Sequence, residues 1–171
     1  MKTKHGHTLV ELMLCLLIGG IVLGLALPSF SALLNSSTQA QLTNQLLGQL
    51  HYARGTAVLG KTTVALCAGQ DRCSGSSNWQ RQLLVFIDQN GNGQLDPAEK
   101  LLRQEPLRPD YSWQWSSFRH RSYVLFDSDG TTRALNGTFT LCENGTPLKQ
   151  IVISVSGRPR TQSPSPDARC S

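Results

Sequence analysis

The chain has 171 residues, and its 16 Lys and Arg exceed its 11 Asp and Glu to give a formal net charge of +5. This length is enough for one domain with a modest core. Because basic residues exceed acidic ones by so little, the position of the basic residues matters more than their number. Neither His51 nor His120 stands beside a Ser or Cys nucleophile motif, and no glycine-rich phosphate loop precedes a helix, so the sequence argues against an enzyme.

The first feature along the chain is an apolar run over residues 12–30 that contains no charged side chain. Its length is close to the roughly 20 residues that a membrane-spanning helix needs, so residues 7–30 are predicted to form one transmembrane segment. Lys2 and Lys4 precede it, which places the start of the chain on the cytoplasmic side of the inner membrane. Burying the carboxylate of Glu11 in lipid costs about 2.5–3.5 kcal/mol or more, which marks a functional position with a partner.

The segment Lys4-His5-Gly6-His7-Thr8-Leu9-Val10-Glu11 resembles the class III signal of type IV prepilins, with His7 where that family usually has Phe. The resemblance implies that residues 1–6 are a leader, that a prepilin peptidase cuts after Gly6, and that the new amine of His7 is methylated. It also implies that Glu11 pairs with a methylated amine, its own or a neighbour's, and sets subunit register during assembly with other major and minor pilins.

Residues 31–60 are predicted to continue the helix in amphipathic form and to end near Gly60. Apolar residues recur at steps of three and four, which is one helical face: Leu42, Leu46, Leu50, Ala53 and Ala57. The other face carries polar residues and is expected to meet solvent or a neighbouring subunit: Asn44, Gln45, Gln49 and Arg54.

Residues 61–157 are predicted to form a β-rich domain, because β-branched and aromatic runs alternate with Asp/Asn-Gly turn chemistry. The predicted strands cover residues 62–67, 83–87, 101–103, 111–115, 123–126, 138–141 and 151–155. A helix followed by short antiparallel strands predicts an α+β fold, with the long N-terminal helix packed on small antiparallel β-sheets. Trp79, Trp113 and Trp115 are expected in the core rather than on the surface as base-stacking platforms.

Four of the five cysteines lie outside the apolar run, in a part of the chain predicted to face the periplasm, where disulfides are expected. Four cysteines allow three pairings. The favoured one joins Cys67 to Cys73, closing a short loop, and Cys142 to Cys170, holding the C-terminal tail. A zinc site is disfavoured by the wide spacing and the absence of a nearby histidine, and Cys15 is interpreted as a small apolar filler.

Residues 88–99 fit the twelve-residue calcium loop of EF-hands. The oxygen ligands would come from Asp88, Asn90, Asn92, Asp96 and Glu99. The alternative is a hairpin loop, since Asn-Gly repeats form tight turns and the flanking runs are typical of strands rather than helices. Calcium is therefore left open, and no other cofactor is predicted.

The order of several short segments resembles the FimT/GspH family of minor pilins and pseudopilins, most closely FimT. These segments are residues 49–57 (QLHYARGTA), 64–67 (VALC), 85–93 (VFIDQNGNG), 126–130 (FDSDG), 137–142 (GTFTLC) and 151–160 (IVISVSGRPR). Together they extend over nearly the whole chain. The resemblance implies a single-pass inner-membrane protein with a periplasmic domain, found on an extracellular pilus after assembly.

Gly157-Arg158-Pro159-Arg160 follows a predicted strand and leads into a Pro/Ser-rich tail, residues 158–171. Pro159 restrains the backbone between two guanidinium groups, whose planar fork suits phosphate oxygens. Lys149 and Arg169 add positive charge to the same part of the sequence. Similar Gly-Arg-x-Arg tails in FimT-type minor pilins imply non-specific DNA binding at or near a pilus tip, for uptake in natural transformation.

Alternatives to DNA binding stay open from the sequence. Arg158 and Arg160 could form a solvated turn, and Arg119 and Arg121 could either extend the basic patch or belong to an exposed loop. The chain could then be a structural minor pilin for assembly and twitching, a type II secretion pseudopilin, or a pseudopilin stabilised by calcium.

Overall fold

The computed structural model describes the backbone of residues 8–170 and, within the helix, the side chains of all residues except 23, 25–29, 31 and 32. The chain divides into two units, residues 1–40 and 41–171. Helix α1 (Leu9–Gly60) contributes to both. The strands follow in the second unit: β1 (Val64–Ala68), β2 (Asn78–Trp79), β3 (Gln82–Ile87), β4 (Leu101–Pro106), β5 (Tyr111–Ser117), β6 (Val124–Phe126), β7 (Gly137–Glu143), β8 (Thr146–Ile153) and β9 (Pro159–Gln162).

The first unit is the N-terminal part of α1. Thr8 caps the helix, because its Oγ1 accepts the backbone N–H of Glu11 at 3.3 Å, and Thr followed three residues later by Glu is a capping box. Large apolar side chains are exposed along this part, from Leu9 to Leu34. Among the described residues, no helix is both long and apolar enough to cross a bilayer.

The C-terminal part of α1 supplies one wall of the core. The predicted apolar face is confirmed, since all five of its residues are buried: Leu42, Leu46, Leu50, Ala53 and Ala57. The helix ends at Gly60, and Lys61 follows with φ = +51°. The N–H of Thr62 then donates to the carbonyl of Ala57 at 3.1 Å, which satisfies one of the last helical acceptors.

Two antiparallel sheets surround this helical face. The first has the strand order β4-β3-β1-β6, and the second has the order β2-β5-β7-β8-β9. The predicted α+β class, a helix packed on small antiparallel sheets, is confirmed. The sequence did not predict β9, which begins inside the basic motif and pairs with β8.

Phe139 on β7 lies at the centre of the aromatic core. Its ring stacks on Trp115 at 4.2 Å and meets Trp79 edge-on at 4.7 Å. The indole N–H groups of Trp79 and Trp115 donate to the carbonyls of Ser122 and Tyr123. Because both rings are buried with their polar atoms satisfied, the expectation that the tryptophans belong to the core is confirmed.

The polar face of α1 meets solvent only in part: Asn44 is exposed as expected, but the other three residues contact the β domain or are buried. Gln49 is buried, Gln45 donates to the carbonyl of Pro106 at 3.0 Å, and Arg54 bonds to two loops of the β domain. That expectation was wrong for Gln49, because segments distant in the sequence cover it, whereas Gln45 and Arg54 bond to such segments and stay half-exposed.

The structure forms two disulfides, Cys67–Cys73 and Cys142–Cys170. The first closes a loop that follows β1. The second attaches the end of the chain to β7, so the tail lies against the five-stranded sheet. Cys15 is unpaired and exposed.

Candidate nucleic-acid interface

The turn between β8 and β9 carries the basic motif. The N–H of Gly157 donates to the carbonyl of Ser154 at 2.9 Å, and the N–H of Ser154 donates to the carbonyl of Arg158 at 3.3 Å. Arg158 is exposed as it leaves the turn, and Arg160 is exposed on β9. Within residues 8–170, neither arginine has a carboxylate at ion-pair distance, so both guanidinium groups are available to an anion.

Gly157 allows this turn to pack against a second one. Its backbone has φ = +73°, and an ideal Cβ at this position would lie 2.0 Å from the carbonyl oxygen of Gly130. Only a residue without a side chain tolerates both the left-handed backbone and this close approach. Gly157, the first residue of the basic motif, therefore fixes the position of the backbone from which Arg158 and Arg160 extend.

Arg54 and Thr132 hold the two turns together. The Nε of Arg54 donates to the Gly130 carbonyl at 3.0 Å, and its Nη2 donates to the Ser156 carbonyl at 3.5 Å. The N–H of Thr132 donates to the Val155 carbonyl at 3.0 Å. Sequence reasoning missed both residues. Arg54 lies within a segment that supports the family resemblance, but no local pattern indicates partners 76 and 102 residues away.

The tail beyond β9 folds back over the outer face of the five-stranded sheet. The amide oxygen of Gln150 accepts the side-chain amide of Gln162 at 3.0 Å and the N–H of Ser165 at 3.1 Å. A cavity of about 430 Å³ remains beneath the tail, lined by Arg169 and Asp167 among others.

The structure brings together only some of the predicted DNA-binding residues. Arg160 shares the outer face of the sheet with Gln162, because side chains alternate along a strand, and Arg169 lies over the same face. Lys149 alternates with Gln150 on β8 and so belongs to the face that carries Ile151. The charge of Lys149 is therefore separated from those of Arg160 and Arg169 by the sheet.

The loop predicted as a calcium site is closed by its own hydrogen bonds. The buried carboxylate of Asp88 accepts the N–H groups of Gly91, Asn92 and Gly93 at 2.7–3.1 Å. The amides of Asn90 and Asn92 donate to Asp96, and Glu99 accepts the N–H groups of Gln89 and Asp96. In the described residues, no three acidic, His or Cys side chains group as metal ligands. This bonding between two strands favours the hairpin-loop alternative.

The predicted processing residues Gly6 and His7 lie outside the described residues. Glu11 is described, and its backbone N–H donates to the Thr8 hydroxyl at the start of α1. Its pairing with a methylated amine during assembly stays a prediction.

Comparison with known proteins agrees with the fold and with the N-terminal motif. A family model described as prokaryotic N-terminal methylation motif matches residues 1–27, and one described as type II transport protein GspH matches residues 42–157. Pilin-like protein PilA1 of Thermus thermophilus is 31% identical over 173 residues, which cover 94% of this chain and 99% of that protein.

Two crystal structures of the type IV minor pilin FimU of Pseudomonas aeruginosa share the fold. Their TM-scores are 0.57 and 0.55 at 21% identity, and the matches cover 72% and 77% of this chain and 91% of each FimU chain. The predicted N-terminal methylation signal and the predicted GspH relationship are confirmed, whereas the closer resemblance to FimT stays a prediction. The chain belongs to the GspH family of type II transport proteins, with an N-terminal methylation motif ahead of its β domain.

Proposed function

We propose that the chain is a minor type IV pilin that binds DNA non-specifically through Arg158 and Arg160 during natural transformation. The observation that carries this proposal is the turn between β8 and β9, in which two exposed arginines follow Gly157, and Gly157 packs against Gly130. Because the backbone is already fixed and Pro159 restrains it further, little freedom is lost when the arginines meet phosphate oxygens. Arginine suits this role through its bidentate hydrogen bonds to phosphate.

The assembly part of the proposal is supported by the family. The methylation motif, membership of the GspH family and the 31% identical pilin-like protein favour a subunit that assembles with other pilins. On this proposal a prepilin peptidase cuts after Gly6, His7 is methylated, and the apolar start of α1 holds the subunit in the inner membrane before assembly. The β domain then faces the periplasm, and later the outside of the cell at or near the pilus tip.

DNA binding by residues 41–171 tests the proposal directly. This part contains the whole described core and both disulfides. Fluorescence anisotropy with a labelled duplex would be measured from 50 to 200 mM salt for the wild type and for Arg158→Ala/Arg160→Ala. Loss of two phosphate contacts should lower the magnitude of the salt slope by about 1.8, which is about a tenfold smaller loss of affinity over that range.

The matched control is Arg72→Ala/Arg108→Ala, which removes two exposed arginines outside the basic motif. This variant should bind as the wild type does. Absence of DNA binding by the wild type at 50 mM salt would refute the DNA proposal and leave a structural minor pilin or a type II secretion pseudopilin. Equal slopes for the wild type and the Arg158→Ala/Arg160→Ala variant would move the contact away from the tail.

A further inference from the structure

A second basic site lies beside the loop between β5 and β6. A cleft of about 220 Å³ is lined by Arg119, Arg121 and Arg133, and the rest of its lining is Gly91, Tyr123, Leu125 and Leu135. All three arginines are exposed. A cleft lined by three arginines is suited to an anion that accepts several hydrogen bonds at once, which is the chemistry of a phosphate group.

The charge of this cleft is only partly neutralised by the protein. The Nε and Nη2 of Arg133 donate to the two carboxylate oxygens of Asp127, which leaves Nη1 on the side of Gly91, where an ideal Cβ would lie 3.7 Å from it. The nearby carboxylate of Asp88 is buried, and both its oxygens accept backbone N–H groups. In the described part of the chain, Arg119 and Arg121 have no carboxylate at ion-pair distance.

The cleft and the basic turn lie at the same end of the five-stranded sheet. Ser117, Gly137, Ile153 and Pro159 are register partners across β5, β7, β8 and β9. Arg119 lies two residues after Ser117, and Arg158 immediately precedes Pro159. Three strand spacings separate Ser117 from Pro159, which is about 14 Å between the backbones.

A direct hydrogen-bond link also joins the two sites. Thr132 is adjacent to Arg133, and its hydroxyl donates to the carbonyl of Val155 at 3.3 Å in the turn that leads to Arg158. The N–H of Thr132 donates to the same carbonyl. Hydrogen bonds therefore connect the backbone segments that carry the two basic sites.

We infer that the cleft formed by Arg119, Arg121 and Arg133 is a second phosphate-binding site, which takes a phosphodiester of the same DNA molecule that meets Arg158. The inference rests on the proposed function for the identity of the ligand. One strand of duplex DNA presents a phosphate about every 3.4 Å along the axis, so the two sites are about four phosphates apart. The DNA would cross the end of the sheet from the β5–β6 loop to β9.

The test is the salt dependence of duplex binding by Arg119→Ala/Arg121→Ala in residues 41–171. Arg133 is left intact because it pairs with Asp127. Because the cleft takes one phosphate, the magnitude of the slope should fall by about 0.9 relative to the wild type, and by about 2.7 when Arg158→Ala/Arg160→Ala is added. Arg72→Ala/Arg108→Ala serves again as control, because Arg108 lies beyond the opposite end of β5, about 20 Å away along the strand.

The outcomes separate this inference from the proposed function. If Arg119→Ala/Arg121→Ala keeps the wild-type salt slope while Arg158→Ala/Arg160→Ala reduces it, the inference about the cleft is overturned and the tail remains the DNA contact. If the same variant keeps the wild-type slope but weakens binding to a neighbouring pilin, the cleft takes a protein carboxylate and the inference is overturned.

A second measurement applies even if the wild type does not bind DNA. Inorganic phosphate would be titrated while the side-chain Nε–H signals of Arg119 and Arg121 are followed by NMR. Saturable shifts that are absent with an equal concentration of chloride would support a phosphate site independent of DNA. Signals that do not move would overturn the inference.

Discussion

Replacement of Gly157 by Ala is expected to destabilise the folded domain by about 2–4 kcal/mol. Part of the cost is conformational, because the backbone at Gly157 has φ = +73° and a side chain in the left-handed region costs about 1 kcal/mol or more. The larger part is steric, because the new Cβ would lie 2.0 Å from the Gly130 carbonyl oxygen. The two turns must separate, which adds about 1–3 kcal/mol and weakens the Arg54 bonds that join them.

Urea unfolding of residues 41–171, followed by tryptophan fluorescence, measures this loss because the three indoles are buried. The matched control is Gly145→Ala in the β7–β8 hairpin. Gly145 has φ = +78°, but its ideal Cβ would meet no atom within 4 Å, so only the conformational cost of about 1 kcal/mol is expected. In thermal unfolding each kcal/mol should lower the Tm by about 4 °C. A loss for Gly157→Ala no larger than that for Gly145→Ala would refute the steric argument.

Three further variants test the contacts that hold the interface. The hydrogen bond from Arg133 lowers the pKa of Asp127 below its ordinary value of 3.8, so its stabilisation is present above that pH and is lost as the pH falls through the lowered pKa. Urea unfolding should therefore show that Asp127→Asn is less stable than the wild type at pH 7, and that this difference in stability shrinks below about pH 4. A difference in stability that does not vary with pH would contradict this. Cys142→Ser/Cys170→Ser opens a loop with a sequence separation of 28, and equilibrium unfolding should show a loss of about 3.5 kcal/mol in the free energy of unfolding. Removal of the other disulfide, which closes a six-residue loop, should cost about 2 kcal/mol. A larger loss for the shorter loop would be inconsistent with loop-closure entropy. Arg54→Met should cost about 1–3 kcal/mol by removing donors from two carbonyls and should speed hydrogen exchange at Gly157, whereas unchanged exchange would show that the turn does not depend on Arg54.

The sequence by itself determined the features that depend on neighbouring residues. The buried face of α1 followed from apolar residues three and four apart, because a helix returns to the same side after 3.6 residues. The alternation of Trp113 and Trp115 predicted a strand with one face in the core. The N-terminal methylation motif was also readable, because the short segment ending in Glu11 carries it.

Tertiary structure alone decided how distant segments meet. The division into two sheets, the pairing of β9 with β8 and the burial of Gln49 depend on contacts between segments far apart in the chain, which no local period encodes. For the same reason Lys149 and Arg160 appeared to be part of one patch in the sequence but lie on opposite faces of a sheet. Arg119 and Arg158 are distant in the sequence, yet they meet the same end of that sheet because antiparallel register aligns Ser117 with Pro159 across four strands.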